Sequence, residues 1–261
     1  MSKKIKKPAF FVQNNLVDRL TAPVAIYARE HGHPIEDRSC SSELDPDNCD
    51  IDWGQYSCVL PYGSVQFIRI IKKSSLSRFI LHDEPLFSTE KWSRIFDNNV
   101  LNAAGRAINV SDIDALLRRD GPMHLRPDSV DKAFSGGVYD QNSWLNTVST
   151  KTLPTDLVCW ASPTQHIIAE WRCWVIGGTV IEISQYRRNE QMSLSRETNN
   201  EIFEVAQGLA DIYLPAPCVV LDIALTENGY KLIEFNPIHC SGWYAGNVNN
   251  VLGCWLDWSI C

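Results

Sequence analysis

The sequence predicts a mixed α/β (α+β) protein, in which an N-terminal α/β lobe is followed by lobes built on antiparallel sheets. Three observations lead to this prediction. Strand-like and helical segments alternate near the N-terminus, and two hairpins with glycine turns follow in the second half. In addition, 44% of the 261 residues are hydrophobic, which is enough to bury a sizeable core.

Composition excludes several classes of protein. The formal net charge of −7 argues against a broad basic surface for nucleic acid, and no apolar run is long enough to span a membrane. The nine cysteines include no C-x-x-C pair, so we expect reduced thiols rather than a zinc or disulfide framework. The sequence therefore predicts a cytoplasmic protein without nucleic-acid or membrane partners, and it gives no indication of oligomeric state.

The N-terminal lobe begins with apolar runs at residues 8–12 and 57–60, which read as strands. The segment VQFIRIIKK that follows the second run has helical spacing. Residues 39–52 are polar and rich in turn formers, so they predict an exposed loop.

Helix starts are predicted at Ser88 (STEKW) and Ser111 (SDID), where a serine cap precedes acidic residues. Residues 195–212 have helical spacing, and residues 244–253 match no regular pattern and are treated as a loop. A second lobe is expected to begin near Asn98.

The first hairpin follows a strand in DLVCWAS and consists of HIIAEWRCWVI and TVIEISQYR, joined by Gly177 and Gly178, which can adopt the positive φ of a two-residue turn. The second hairpin pairs CVVLDIAL with YKLIEFNP. On a strand, side chains two residues apart share a face. Glu234 and Asn236 should therefore project together, with Asp222 close by on the neighbouring strand.

These three oxygen-bearing side chains have two interpretations. They could hold a hard cation such as Mg²⁺, which prefers oxygen ligands and often shares them with nucleotide phosphates. Alternatively, the two carboxylates could pair with arginines or face solvent, while Asn236 simply ends a strand. Unpaired carboxylates in an apolar hairpin would be costly, so a cation or a basic partner is expected.

The spacing of Asp222 before E-x-N resembles the metal-binding signature of the ATP-grasp superfamily. EWRCWVIGGTVIEISQYR resembles the central hairpin of that family, and HLRPDSVDKAFSGGVYD resembles its small-lobe strand and glycine-rich loop. Arg126 occupies the usual lysine position before Pro127, as is typical of a phage and bacterial clade of the superfamily. The resemblance covers residues 123–243 and implies an ATP-grasp fold, with a pre-ATP-grasp lobe at 1–97, a small lobe at about 98–162 and a large lobe at about 163–261.

The resemblance also implies roles for individual residues. The implied Mg²⁺ ligands are Asp222, Glu234 and Asn236. The implied ATP contacts are Arg126, Lys132, Ser135, Gly136 and Gly137, with adenine against Cys159 and Trp160. Arg172 and Arg187 would contact the γ-phosphate or an acyl-phosphate intermediate, and Ser241 and Gly242 lie where family members meet the acceptor.

The function implied is an ATP-dependent carboxylate–amine ligase that acts on a small-molecule, peptide or protein substrate through an acyl phosphate. Two alternatives remain open: a nucleotide-binding sensor with degraded catalysis, and a phosphotransferase on the same fold. For individual residues, Arg172 could instead form an ion pair with Glu182 or Glu170, and His239 could be a substrate-lining or a structural residue.

Overall fold

The structure is a computed structural model that describes residues 7–16, 18–128 and 133–260, with only the backbone of Asp18 and Arg19. In chain order, the strands and helices are β1 Ala9–Gln13, α1 Asp18–Glu30, β2 Ile35–Arg38, β3 Val59–Tyr62, α2 Val65–Ile71, α3 Thr89–Phe96, β4 Arg106–Asn109, α4 Ile113–Asp120, β5 Met123–Pro127, β6 Gly137–Tyr139, α5 Gln141–Thr150, β7 Val158–Ser162, β8 Ala169–Ile176, β9 Thr179–Arg188, β10 Gln191–Ser195, α6 Asn200–Ile212, β11 Cys218–Thr226, β12 Gly229–Pro237 and α7 Val248–Ile260. Within this described part, no helix is long and apolar enough to cross a membrane, and every cysteine is a free thiol.

The N-terminal region is a three-stranded parallel sheet with the order β2-β1-β3. All five residues of β1 are buried, as expected for the central strand of a parallel sheet. Helix α1 packs against β1 and β2 and forms the crossover between them. The expected α/β character of this region is confirmed.

The next sheet is antiparallel, with the order β4-β7-β5-β6. Helices α4 and α5 pack on one face of it, where Leu117 and Trp144 meet Leu125 of β5. Because side chains alternate along a strand, His124 and Arg126 lie on the opposite face. That face is turned towards the third sheet.

The third sheet has five antiparallel strands in the order β10-β9-β8-β11-β12. All eight residues of β8 are buried, because both faces of the sheet are covered. Trp171 and Cys173 belong to the core beneath α6, whereas Trp174 belongs to the core beneath α7 and β1. Alternation therefore puts Glu170 and Arg172 on the face of Trp174.

Both predicted hairpins are present. Gly177 and Gly178 turn from β8 into β9 with φ values of 57° and 86°. In the second hairpin, Asp222 pairs with Glu234, and Val220 pairs with Asn236. A register shift lies directly after Asp222.

Several predicted boundaries are wrong. The helix expected from residue 195 begins at Asn200, because Asn199 caps it by accepting from the Ile202 amide (3.0 Å). Ser195 instead ends β10, an edge strand that the sequence interpretation missed. The second half of the supposed loop at 244–253 belongs to α7.

The two serine caps are also wrong. Ser111 lies inside a 3₁₀ turn, and α4 begins after Asp112. Ser88 precedes α3 as predicted but makes no capping bond itself. The Asp128 carboxylate, 40 residues later, caps α3 by accepting from the Ser88 hydroxyl (2.6 Å) and from the Thr89 and Glu90 amides. The division into lobes at 97/98 and 162/163 stays a prediction.

Candidate active site

A cavity of about 710 Å³ lies between the four-stranded and five-stranded sheets. This volume is within the range typical of ligand sites. Its wall combines three arginines, four acids, two tyrosines and a group of uncharged side chains. The lining residues are Leu101, Asn102, His124, Arg126, Pro127, Gly136, Gly137, Val138, Gln165, Ile167, Glu170, Arg172, Tyr186, Arg187, Glu190, Asp222, Ile233, Glu234 and Tyr244.

The structure brings the three expected metal ligands together. Asp222 and Glu234 face each other across β11 and β12. The Asn236 amide nitrogen donates to the Asp222 carboxylate (3.2 Å) and to the Glu234 carboxylate (3.0 Å). Two carboxylates and one amide thus lie within a single hydrogen-bonded group.

The chemistry of this group fits a hard divalent cation, which takes carboxylate and amide oxygens. Because Asn236 presents its NH₂ to both acids, binding a cation through its oxygen requires rotation of the amide. In the described residues, no three His, Cys, Asp or Glu side chains form another cluster suited to a metal. Asp222, Glu234 and Asn236 are therefore the residues that would hold Mg²⁺.

Arg172 forms a buried, two-bond ion pair with Asp222. Its Nε and Nη2 donate to the two carboxylate oxygens at 2.8 and 2.7 Å, and the side chains are only 7% and 3% exposed. Burial alone would lower the pKa of Arg172, but the charge and hydrogen bonds of Asp222 raise it overall. Arg172 is therefore a permanent cation at the inner wall of the cavity.

The position of Arg172 is fixed by two further contacts. Its Nη1 donates to the Gly242 carbonyl (3.1 Å), and its guanidinium lies over the Tyr244 ring, 4.8 Å from the centroid. The alternative partners that we considered from sequence, Glu182 and Glu170, are wrong. Glu182 instead binds the amide of Asn247 (2.9 Å).

Arg126 joins the two sheets across the cavity. Its Nη2 donates to the Glu234 carboxylate (2.8 Å), and its Nη1 donates to the Ile233 carbonyl (3.2 Å). The ion pair is mostly buried. Both candidate metal-binding carboxylates are thus also the partners of an arginine.

Arg187 forms the third ion pair, with Glu170 (3.1 Å), and it is half exposed at the cavity mouth. The Tyr186 hydroxyl also donates to Glu170 (2.5 Å), and its ring stacks on Tyr244 at 4.6 Å between centroids. Burial, followed by the charge of Asp222, raises the pKa of Tyr186 well above its ordinary value. This phenol therefore remains a neutral hydrogen-bond donor.

The glycine-rich loop reaches the cavity only through its last part. Gly136 and Gly137 line the cavity, and a Cβ on Gly136 would lie 3.4 Å from the Cβ of Arg126. The Ser135 carbonyl accepts from the Tyr139 hydroxyl (2.6 Å). Phe134 is buried in the core with Trp144, and Lys132 lies outside the described residues.

The side chains of Cys159 and Trp160 do not line the cavity, which corrects the expected adenine contacts. Cys159 points into the core under α4 and α5. Trp160 shares a face with Arg126 but is covered by residues 102–105. Its indole donates to the Asn102 carbonyl (3.1 Å), and a Cβ on Gly105 would lie 2.1 Å from the indole nitrogen.

His239 is a structural residue, so the substrate-lining interpretation is wrong. It lies in a 3₁₀ turn rather than on a strand. Its Nδ1 bonds the Pro61 carbonyl (2.8 Å), and its Nε2 accepts from the Leu81 amide (3.1 Å). Next to it, the Ser241 hydroxyl donates to Pro237 (2.7 Å), and Gly242 contributes its carbonyl to Arg172.

Sequence reasoning missed several cavity residues. His124 could have been found, because it lies two residues before Arg126 on the same strand face. Tyr186 likewise precedes Arg187. In contrast, Asn102, Gln165 and Tyr244 lie in connecting segments, where no periodicity signals which way a side chain points.

Comparison with solved structures identifies the class of this fold. D-alanine–D-alanine ligase from Bacillus anthracis is similar with a TM-score of 0.65 and 11% identity, over 98% of this chain and 97% of that one. An ATP-grasp RimK domain protein from Sphaerobacter thermophilus gives 0.60 and 13%, over 97% of each chain. A RiPP-associated ATP-grasp ligase from Chryseobacterium gregarium, in complex with ADP and a leader and core peptide, gives 0.57 and 12%, over 96% of each chain. The fold is that of the ATP-grasp proteins.

The family follows from the sequence itself. Residues 104–254 match the family model of an ATP-grasp domain, clade family 2, and the chain belongs to this ATP-grasp family. No curated protein matches the sequence. Membership of an ATP-grasp family supports nucleotide binding and an ATP-dependent ligase in general, and the expected superfamily and fold are confirmed.

Proposed function

We propose that the protein is an ATP-dependent carboxylate–amine ligase that forms an amide or peptide bond through an acyl-phosphate intermediate. One observation carries the proposal: Asp222, Glu234 and Asn236 meet in one cavity with the cations Arg126 and Arg172 (2.7–2.8 Å from the two carboxylates). Joining a carboxylate to ATP brings two anions together. A site with fixed cations and a metal-binding acid pair suits that chemistry.

The reaction has two steps. A carboxylate oxygen of the first substrate attacks the γ-phosphorus, the bond from that phosphorus to the β,γ-bridging oxygen breaks, and ADP leaves. The nitrogen of the amine substrate then attacks the acyl carbon, the carbon–oxygen bond to phosphate breaks, and the amine loses a proton to solvent. Phosphoryl transfer of this kind depends on positioning and charge neutralisation.

The arginines supply the fixed positive charge. Arg172, held by Gly242 and Tyr244, faces the reacting phosphate from the five-stranded sheet, and Arg126 faces it from the four-stranded sheet. Gly136 and Gly137 let the backbone approach the phosphates closely. Arg187 at the mouth orients the incoming carboxylate, and Tyr186 holds Glu170 beside it.

Mg²⁺ bound by Asp222, Glu234 and Asn236 would neutralise the phosphate oxygens. Before ligands bind, the ion pairs Arg126–Glu234, Arg172–Asp222 and Arg187–Glu170 cancel three charges of each sign. An isolated ATP anion or an isolated cation would disturb this balance more than the two together. We therefore expect nucleotide and Mg²⁺ to bind cooperatively, with guanidiniums exchanging carboxylate for phosphate oxygens.

The substrate class that we propose is a small-molecule, peptide or protein carboxylate with an amine acceptor. The neighbour from Chryseobacterium gregarium holds a leader and core peptide, which supports testing peptides first. The exposed Tyr244 and Arg187 leave the cavity mouth accessible to a long substrate. A cytoplasmic location, with ATP and reduced thiols, is part of the proposal.

The test measures ADP release with panels of carboxylates and amines, separately and together. Release only with both supports the ligase, release with an alcohol alone indicates a phosphotransferase, and tight ATP binding without turnover indicates a sensor. Glu234→Gln removes one charge at nearly constant volume and should reduce turnover at least about 100-fold, because it weakens the metal site and unpairs Arg126. Wild-type turnover in a folded Glu234→Gln protein would refute the metal assignment.

A further inference from the structure

The cavity has two chemically different ends. The charged end contains the three arginine–acid pairs. The other end carries no formal charge, and it is lined by Leu101, Asn102, His124, Gln165 and Ile167. The ligand that fills the cavity should therefore be strongly anionic at one end and neutral at the other.

The strand register fixes where the uncharged end lies. On β5, Arg126 pairs with Trp160, whereas His124 pairs with Ser162, the last residue of β7. Two residues along a strand span roughly 7 Å, so His124 lies about that far from Arg126. Gln165 and Ile167 belong to the segment that leads from β7 to β8, at the same end.

Asn102 is held in place by two bonds. Its side-chain oxygen accepts from the Ser162 hydroxyl (2.9 Å), and its carbonyl accepts from the Trp160 indole (3.1 Å). Its amide nitrogen has no partner among the described residues. This fixed amide can therefore donate to a ligand.

His124 offers a second polar group. Its Nδ1 is buried and has no hydrogen-bond partner in the part of the chain that the structure describes. A buried polar atom without a partner is costly, and a ligand that bonded the ring would recover part of this cost. Burial, and then the positive charge of Arg126, lower the pKa of His124 to about 4. At neutral pH the ring therefore has one donor and one acceptor nitrogen.

We propose that the uncharged end receives the nucleobase and that His124 recognises the base edge and contributes to base selectivity; this inference rests on the ATP-dependent function proposed above. Leu101 and Ile167 supply apolar contact to the faces of a planar heteroaromatic ring. His124 and Asn102 bond the edge of the ring. The purine amine and ring nitrogens of adenine provide the matching donor and acceptors.

The experiment compares a ligand that has a base with one that has none. Isothermal titration calorimetry in the presence of Mg²⁺ measures the Kd of ADP and of tripolyphosphate for the wild type, His124→Leu and His124→Gln. Leucine removes the hydrogen bond at similar volume, so His124→Leu should weaken ADP about tenfold and leave tripolyphosphate within about twofold. His124→Gln should recover much of the ADP affinity.

His166→Leu is the matched control, because His166 is exposed and does not line the cavity. It should leave both dissociation constants unchanged. Equal weakening of ADP and tripolyphosphate in His124→Leu, or no weakening of ADP, would overturn the role of His124. If the wild type binds neither ligand, the proposed function itself fails.

A second measurement does not depend on a folded variant. The wild type should bind ADP at least about tenfold more tightly than ribose 5-diphosphate, and more tightly than GDP. Equal affinity for ADP and ribose 5-diphosphate would show that no base is recognised and would overturn the inference, even with phosphate binding intact.

Discussion

Replacing Arg172 by methionine should destabilise the ligand-free protein strongly. The change leaves Asp222 charged and 2% exposed, with only the Asn236 amide (3.2 Å) among the side-chain donors described above still facing it. Removing one partner of a buried ion pair costs about 3–5 kcal/mol. The net stability of a folded domain is about 5–15 kcal/mol, so a large fraction of it would be lost.

The double variant Arg172→Met/Asp222→Asn separates the ion pair from simple packing. Because it removes both charges, it should be destabilised by only about 1–2 kcal/mol. Arg187→Met is the matched control, since Arg187 is 52% exposed in its pair with Glu170. An exposed pair contributes about 0–1 kcal/mol.

The assay is urea unfolding, followed by circular dichroism at one pH and ionic strength without nucleotide. The expected order of stability is wild type, Arg187→Met, the double variant and finally Arg172→Met. If Arg172→Met lies within about 1 kcal/mol of the wild type, or if the double variant is less stable than it, the ion pair does not neutralise a buried charge as argued.

Two further predictions concern pH and the glycine-rich loop. Burial lowers the pKa of His239 to about 4, below its unfolded value near 6.5, so its contribution of roughly 3 kcal/mol should be present above pH 6.5 and decline as the pH falls towards 4. Urea unfolding at pH 7.5 and 5 should therefore show a smaller loss of stability for His239→Gln than for the wild type, and equal losses would contradict the assignment. At Gly136, alanine meets Arg126 at an ordinary contact distance and should leave ADP affinity within about twofold, whereas valine should weaken it about tenfold by overpacking; calorimetry checks both, and equal effects of the two variants would argue against close approach of the loop.

Local sequence patterns were sufficient for much of the fold. The glycine pair at 177–178 and the alternation in KLIEFNP correctly predicted two hairpins, because turn chemistry and the two-residue repeat of a strand are local properties. They also placed Glu234 and Asn236 on one face, next to Asp222. The start of α6 was wrong by five residues, because helical spacing alone does not locate the capping residue Asn199.

Long-range contacts were beyond the reach of the sequence. Helix α3 is capped by Asp128 from another segment, and no local signal identifies such a partner. Cys159 and Trp160 lie on a correctly predicted strand, yet one is buried in a core and the other is covered by residues 102–105. Which face of a strand is open depends on what packs against it, and this is a property of the whole fold.

The sequence by itself determined the order of the strands, the grouping of Asp222 with Glu234 and Asn236, and the resemblance to the ATP-grasp proteins. The tertiary structure decided which arginine meets which acid and where the cavity loses its charge. The physical reason is the range of the interactions: dihedral preferences and side-chain alternation act over a few residues, whereas Arg126 and Glu234, 108 residues apart in the chain, meet only when two sheets pack together.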